Sequence, residues 1–488
     1  MACMGSSNGD SGKATQPSLR EGATALCFVA LCAHFCACWS LNSHLFPLYD
    51  TQLSTVREIC TLVAGAALVG IALIARRRPR MINATLLMGI ACAGAAIGLA
   101  LVWAGVRSGS LGSLMAGACL RSVAEGACVV LLGAALCVIR AQRMLPCIVL
   151  AAAASEAVRA FLPTGYADGL LVMHGLFLFV EAVCSFPLAR SIIRRLQTQE
   201  SPHDAAITQP QSFLPLGHQL FICLLLFRIV YGFMLTFGET GGIPARSAWS
   251  LCALVAVLSF ALALPGRVTA DALFKTAMLC SIAGLLLVPA SGAVRFEVSN
   301  GLISCGVAIS EVFIWAVLAA LARRNVSAAV PVFAWGMALN SFGVVAGANL
   351  GRFVNSRWTE DVQTVIVVTA LFVFCLVLYL VLVMPGFSFS RTVAEVRESA
   401  PPVVPQGSDD PIAQRTIDDK CDDLARMRQL TGRETEVLKL LARGRSGVFI
   451  QNELVVSYNT VKAHVKHIYQ KLDVHTHQEL IDLVEMQK

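Results

Sequence analysis

The chain is poor in charge. Only 14% of its 488 residues are Asp, Glu, Lys or Arg, against 56% hydrophobic residues and a mean hydropathy of +0.68. A soluble domain carries roughly 25% charged residues, so the length, enough for about three soluble domains, is not spent that way. Catalytic signatures are missing too. There is no phosphate-binding Gly-rich loop ending in Lys-Ser/Thr, no nucleophile elbow and no metalloprotease helix motif, so an enzyme is not expected. The 18 cysteines form no metal framework. Cys27, Cys32, Cys36 and Cys38 are densest, but Cys36-Ala37-Cys38 with His34 lacks structural-zinc spacing, and Cys92, Cys128, Cys223, Cys280 and Cys375 sit singly in apolar runs as small hydrophobes. No metal or cofactor is expected. Residues 1–22 lack the basic start, apolar core and cleavage site of a secretory signal, and read as a cytoplasmic tail.

What the chain does have is long apolar runs. Twelve stretches lie within residues 23–385, at about 24–46, 56–75, 82–104, 111–138, 144–162, 168–188, 216–237, 247–264, 272–289, 299–322, 328–351 and 362–384. Most approach the roughly 20 residues that cross about 30 Å of hydrocarbon. Runs this apolar satisfy their backbone in lipid as helices, since barrel strands would alternate. The expected fold is therefore all-α: a polytopic bundle of about twelve helices in halves 23–189 and 214–385, joined by a central loop at 190–213. Twelve arginines fall in one set of loops (Arg76, Arg77, Arg78, Arg80; Arg140, Arg143; Arg190, Arg194, Arg195; Arg267; Arg323, Arg324). Six fall in the other (Arg57, Arg107, Arg246, Arg295, Arg352, Arg357). The richer set is expected inside, which places both termini in the cytoplasm.

Ionisable residues at membrane depth are site candidates because lipid penalises them. They are His34, Arg121, Glu125, Glu156, Arg159, His174, Glu181, Arg228 and Glu311. Arg121–Glu125 and Glu156–Arg159 are spaced to pair on one helix face, either as internal locks or as a ligand site. Arg228 and Glu311 have no local partner and are expected at a polar cavity between the halves, with Arg228 facing Glu311 or an anionic group. The fourth segment of each half carries an acid, Glu125 or Glu311, ahead of an arginine at the chain's basic end. In layout, six plus six about a central loop resembles the major facilitator superfamily, which implies structural repeats and, as an alternative function, secondary transport. That family's loop signature between segments 2 and 3 is not matched by Ala75-Arg76-Arg77-Arg78-Pro79-Arg80.

Residues 386–428 turn polar and Pro-bearing and read as a linker, with Asp418-Asp419 and Asp422-Asp423 as solvated charge. They are too few for an α/β receiver domain. Beyond them, Thr431-x-x-Glu434 is a capping box before Val437, Leu438, Leu440 and Leu441. Ser446 caps a second helix, Val455-Val456 turns, and Ser457 caps a third with Val461, Val465, Ile468, Tyr469 and Leu472 facing inward. Thr476-x-x-Glu479 opens a fourth. Four short helices with this tight turn are a helix-turn-helix module.

The ordered motif Leu430-Thr431-x-Arg433-Glu434-x-Glu436-Val437-Leu438, Gly444-x-Ser446, Ser457-x-x-Thr460-Val461-Lys462-x-His464-Val465, Ile468-Tyr469-x-Lys471-Leu472 closely resembles the LuxR-type DNA-binding domain of bacterial transcription regulators. The resemblance covers residues 429–488 and implies a helix-turn-helix at 447–466 whose third helix enters the major groove of double-stranded DNA. It implies that Lys462, Ala463 and Lys466 face bases and that Thr460 and His464 suit phosphates. Asn459 could pair with adenine and Ala463 could meet a thymine methyl. Phe449 stands where the pattern has an acid, Gln451 where it has a small Ala, Asp473 where it has Gly, and His477 where it has Arg. Residues 430–488 hold eight Lys/Arg against seven Asp/Glu. Non-specific DNA affinity should be modest, and the family's pairing through the fourth helix would then be needed. The expectation is a one-component transcription regulator in the bacterial inner membrane, its bundle sensing an unidentified signal or small ligand.

Overall fold

The computed structural model describes residues 15–53, 55–161, 167–198, 214–236, 247–287, 293–358, 362–382, 384–396 and 411–487. Most of the expected tail, residues 199–213 of the central loop and 397–410 of the linker lie outside them, as do Arg246 and the side chains of Arg295, Arg357 and Trp358.

Every regular element described is helical. The first half runs α1 (Thr15–Ser40), a π turn (Leu41–Leu45), α2 (Phe46–Asp50), α3 (Val56–Arg77), α4 (Ala84–Ser108), α5 (Leu111–Leu136), α6 (Ala141–Phe161) and α7 (Ala167–Thr198). The second runs α8 (Gln219–Thr236), α9 (Trp249–Ala263), α10 (Ala270–Leu287), α11 (Ala293–Arg324), α12 (Ala329–Trp358) and α13 (Val362–Leu382). Within the described residues each of the twelve apolar stretches is built on a helix. Among the described residues ten helices are long and apolar enough to cross a membrane, while the apolar helices Trp249–Ala263 (α9) and Ala370–Leu382 (in α13) are shorter. Local chemistry sets the turns: the Asn83 side chain accepts from Thr85 N at α4, Ser110 from Ser113 N at α5, and Gly109 ends α4 at φ 69°.

The two halves are built alike. A cavity between them is lined by the first, second, fourth and fifth spans of each: α1, α3, α5 and α6, then α8, α9, α11 and α12. The third and sixth spans, α4, α7, α10 and α13, line none of it and instead expose apolar side chains such as Ile97, Phe179, Leu279 and Phe374 outward, as lipid contact requires. Near the basic end, marked by Arg76–Arg80, Arg140 and Arg323, the helices pack solidly through Leu131, Leu132, Trp315, Leu318 and Phe333. The cavity occupies the opposite part.

Close crossings hold the bundle together. On α12, Gly343, Gly347 and Gly351 recur every four residues and meet α8. A Cβ at Gly347 would strike the Ile229 carbonyl and lie 2.7 Å from Phe233 N; one at Gly232 would lie 2.9 Å from Val344 Cα. Thr236 Oγ1 also donates across the crossing to Ala348 O at 3.2 Å. Small residues here let two backbones touch where lipid provides no hydrophobic drive.

The stretch read as linker is anchored at both ends. A short helix α14 (Phe389–Glu395) docks on the bundle: Asp271 accepts from Ser388 Oγ at 2.7 Å, Phe389 N at 2.7 Å and Ser390 N at 3.1 Å, and buried Phe389 packs edge-on against Phe313 of α11. At the other end α15 (Pro411–Met427) packs on the C-terminal domain, which continues as α16 (Gly432–Ala442), α17 (Gly447–Glu453), α18 (Tyr458–Leu472) and α19 (His477–Glu485).

Candidate DNA-reading face and membrane cavity

The C-terminal domain has its own core of Cys421, Leu424, Val437, Leu438, Leu441, Ile450, Val461, Val465, Ile468, Tyr469, Leu472, Leu480 and Val484. Two of these come from α15, so the sequence reading of that segment as solvated charge was incomplete. Asp418 receives Arg443 at 2.5 Å and Asp422 receives Lys439 at 2.8 Å, while Lys420 Nζ donates to Glu485 O at 3.0 Å. The signal was there in Ile417, Cys421 and Leu424, a stripe at helical spacing with acids on its flank. A fragment beginning at residue 425 is expected to be about 2–4 kcal/mol less stable to urea than one beginning at 411, since two core side chains are removed. Equal midpoints and slopes would show that α15 contributes nothing.

Caps position the reading helix. Thr431 and Glu434 form the full reciprocal box expected. Glu434 also receives Lys471 Nζ at 2.7 Å, which ties the start of α16 to the end of α18. Burial works against ionisation there, but the bonds from Lys471 and Thr431 hold the Glu434 carboxyl below its usual pKa. Ser446 still caps α17 through Phe449 N at 3.2 Å, without the reciprocal acid, and the Arg445 guanidinium lies 5.0 Å over the Phe449 ring. Asp473 takes the left-handed conformation (φ 56°) that explains the family's glycine there, and Asp is among the residues that tolerate it. His477 lies apart from any phosphate-facing role: buried, its Nε2 bonds Leu441 O at 2.7 Å, and burial pushes its pKa down so that it sits neutral inside the domain.

Ser457 Oγ accepts from Thr460 N at 3.2 Å and starts α18. Asn459, Thr460, Ala463 and Lys466 are exposed, and Lys462 and His464 half-buried, on the face away from the core. Thr460 Oγ1 is 2.7 Å from Ser457 Oγ and so is already engaged in the cap. Lys439, Arg443, Lys471 and Arg433 are held by acids and Arg445 lies over Phe449, whereas Lys462 and Lys466 stand on this face of α18. Sequence reasoning missed Tyr458. It packs against both the domain core and the apolar cluster of the bundle. Beside it, burial and then the like charges of Arg76 and Lys466 push the Lys462 pKa down.

In the membrane, a cavity of about 210 Å³ gathers the intramembrane candidates Arg121, Glu125, Glu156, Arg159, Arg228, Glu311 and His34. Arg228 Nη2 donates to Glu311 Oε1 at 2.8 Å, joining the two residues that lack a local partner, and its guanidinium lies 3.5 Å from the Tyr231 ring centroid. Arg121–Glu125 and Arg159–Glu156 each pair at 2.7 Å. His34 Nδ1 meets Glu181 Oε1 at 3.1 Å, and Arg121 Nη1 lies 3.5 Å from His174 Nε2, so Glu181 and His174 support the wall rather than line it. Links between the halves are Arg352–Glu58 and Ser250 Oγ donating to Glu156 Oε2 at 3.2 Å. Arg57 is buried, donates to Asn42 Oδ1 at 2.8 Å, and lines the cavity. Both Arg57 and Arg352 were counted as loop charges. Their position at the ends of the apolar stretches 56–75 and 328–351 made them look like loop residues.

Residues 428–484 match the family model described as "GerE: Bacterial regulatory proteins, luxR family". Similar proteins include an uncharacterized response regulatory protein, YgeK, of Escherichia coli (strain K12), 49% identical over 53 residues, which are 11% of this chain and 36% of that one. The HTH-type transcriptional regulator MalT of Yersinia pestis (strain Pestoides F) is 44% identical over 59 residues, 12% of this chain and 6% of that one. The chain thus spans well under half of these relatives. Over the membrane part it is similar to the E. coli fucose:proton symporter FucP (TM-score 0.46, 11% identity, 72% of this chain and 95% of that one) and to the human organic anion transporter MFSD10 (0.45, 14%, 73% and 98%). The C-terminal domain is a LuxR-type helix-turn-helix domain, carried by a multi-pass membrane protein.

Proposed function

We propose that the chain is a membrane-integrated, one-component transcription regulator whose bundle governs whether the LuxR-type domain can reach DNA. The observation that supports this reading is the seat of the reading helix. Tyr458, its first residue, packs against the bundle's apolar cluster, and Lys462 lies within electrostatic range of Arg76 at the basic end. A helix held there has part of its groove-facing surface covered. A signal acting on the bundle would shift an equilibrium between seated and released readers, by as much as it favours one state over the other.

The basic end is taken as cytoplasmic, with both termini inside and the bundle in the inner membrane, because DNA and the arginine-rich loops belong on that side. In this reading α11 carries the signal: Glu311 faces the cavity, and Phe313, two residues on, packs on Phe389 of α14, where the connection to the reader begins. Pairing of two readers on adjacent half-sites completes the proposal. The exposed face of α19 offers Gln478, Glu479 and Glu485, so the pair should be weak off DNA.

Residues 411–488 and the full chain in nanodiscs should be titrated with the same promoter DNA. The fragment is expected to bind about tenfold or more tighter, the cost of unseating. Equal affinities would end the access reading while leaving the DNA-binding domain in place.

A further inference from the structure

The geometry points to a small organic ammonium compound as the ligand of the cavity, its cationic group held between Glu125 and Glu311. This deepens the sensor reading and rests on it for its consequence at DNA. The key feature is how the two deepest ion pairs are turned. Arg121 and Arg228 are 1% and 2% exposed, whereas their partners Glu125 and Glu311 are 19% and 28% exposed. The guanidinium groups are built into the wall and the carboxylates face the lumen. Both guanidinium groups border the cavity too, but their Nε atoms are buried, and the more exposed charge of each pair is the carboxylate.

The two carboxylates come from opposite halves, from the corresponding helix of each, and both line the same cavity together with Cys38. They therefore face one shared space. A ligand entering it meets acceptors of negative charge first. An anion would be repelled there, while an ammonium group finds charge-assisted acceptors on two sides. Aromatic side chains Phe35 and Trp39 line the cavity as well, and ring faces attract organic cations. The lining is otherwise balanced, Arg57, Arg121, Arg159 and Arg228 against Glu58, Glu125, Glu156 and Glu311. At the pair Arg159–Glu156 the arginine is the more exposed partner, 20% against 10%. An amine that also carries an anionic end would find a complement there. The arrangement differs from a set of internal locks, which would have no reason to turn the same partner inward in both halves.

The test uses full-length protein in nanodiscs and three probes on one skeleton: phenethylamine, 3-phenylpropanoate and 2-phenylethanol. Phenethylamine is expected to raise the Tm, the carboxylate and the alcohol to leave it unchanged, and Glu125→Gln or Glu311→Gln to weaken amine binding by about tenfold or more. A single change strands a buried arginine, so the paired variant Arg228→Met/Glu311→Leu, which removes both charges together, serves as the folded control and should also lose the amine. Stabilisation by the carboxylate or alcohol as large as by the amine, no stabilisation by any of the three, or undiminished binding in the paired variant would overturn the assignment. If the amine binds as expected but leaves promoter affinity of the same protein unchanged, the ligand class stands and the sensor reading falls.

Discussion

The double variant Lys462→Ala/Lys466→Ala, made in residues 411–488, is expected to lose promoter affinity by about a hundredfold or more. Each base-edge contact is worth about 1–3 kcal/mol, and these two lysines are one turn apart on the exposed face of α18. Lys439, Arg443, Lys471 and Arg433 are poorly placed to compensate, because each is bound to an acid. The domain should stay folded, since neither lysine contributes to its core. Salt dependence separates the two roles a lysine can have. Loss of base contacts lowers the ratio of promoter to random-sequence affinity. Loss of phosphate contacts lowers both alike and reduces the salt slope by about one for each lysine. Unchanged promoter affinity in a folded double variant would move the reading surface off α18.

Physical reasons decide which parts of this protein were legible in its sequence. The LuxR-type domain was, because its helix starts are made by neighbours in sequence: Thr431 with Glu434, Ser446, Ser457 and Thr476 all cap as their spacing says. The cavity was partly legible, because a charge in lipid is rare enough to mark itself; Arg228 and Glu311, 83 positions apart, do meet. Arg57, Glu58 and Arg352 were hidden, since a charged residue at the end of an apolar stretch looks like a loop residue until the fold turns it inward. α15 escaped because three apolar residues among many acids resemble a linker by composition. Nothing local could have shown that Tyr458 touches the bundle, as that contact depends on how two separately folding parts meet. The turn of both carboxylates toward the lumen was equally beyond sequence, since pairing is set by spacing and orientation only by packing.

Gly347→Leu is expected to prevent the bundle from assembling. Added side chains in a well-packed interior ordinarily cost about 1–3 kcal/mol, where neighbouring side chains can give way. Here the obstacle is backbone, the Ile229 carbonyl and Phe233 N at 2.7 Å, so α8 and α12 must separate along their length. Separation would break the bond from Thr236 to Ala348 O and shift Arg228, whose Cβ lies only 2.7 Å from where a side chain at Gly343 would begin. The cost therefore reaches the Arg228–Glu311 pair, and with it the cavity. Gly70→Leu is the matched control, because a Cβ at Gly70 meets nothing within 4 Å. It adds the same bulk to a helix of the same bundle and should be tolerated. Size-exclusion profiles after detergent extraction are expected to show the Gly70 variant as a single species and the Gly347 variant aggregated. A monodisperse Gly347→Leu protein with an unchanged Tm would mean that α8 and α12 do not depend on this crossing, and the cavity wall would have to be held by the ion pairs instead.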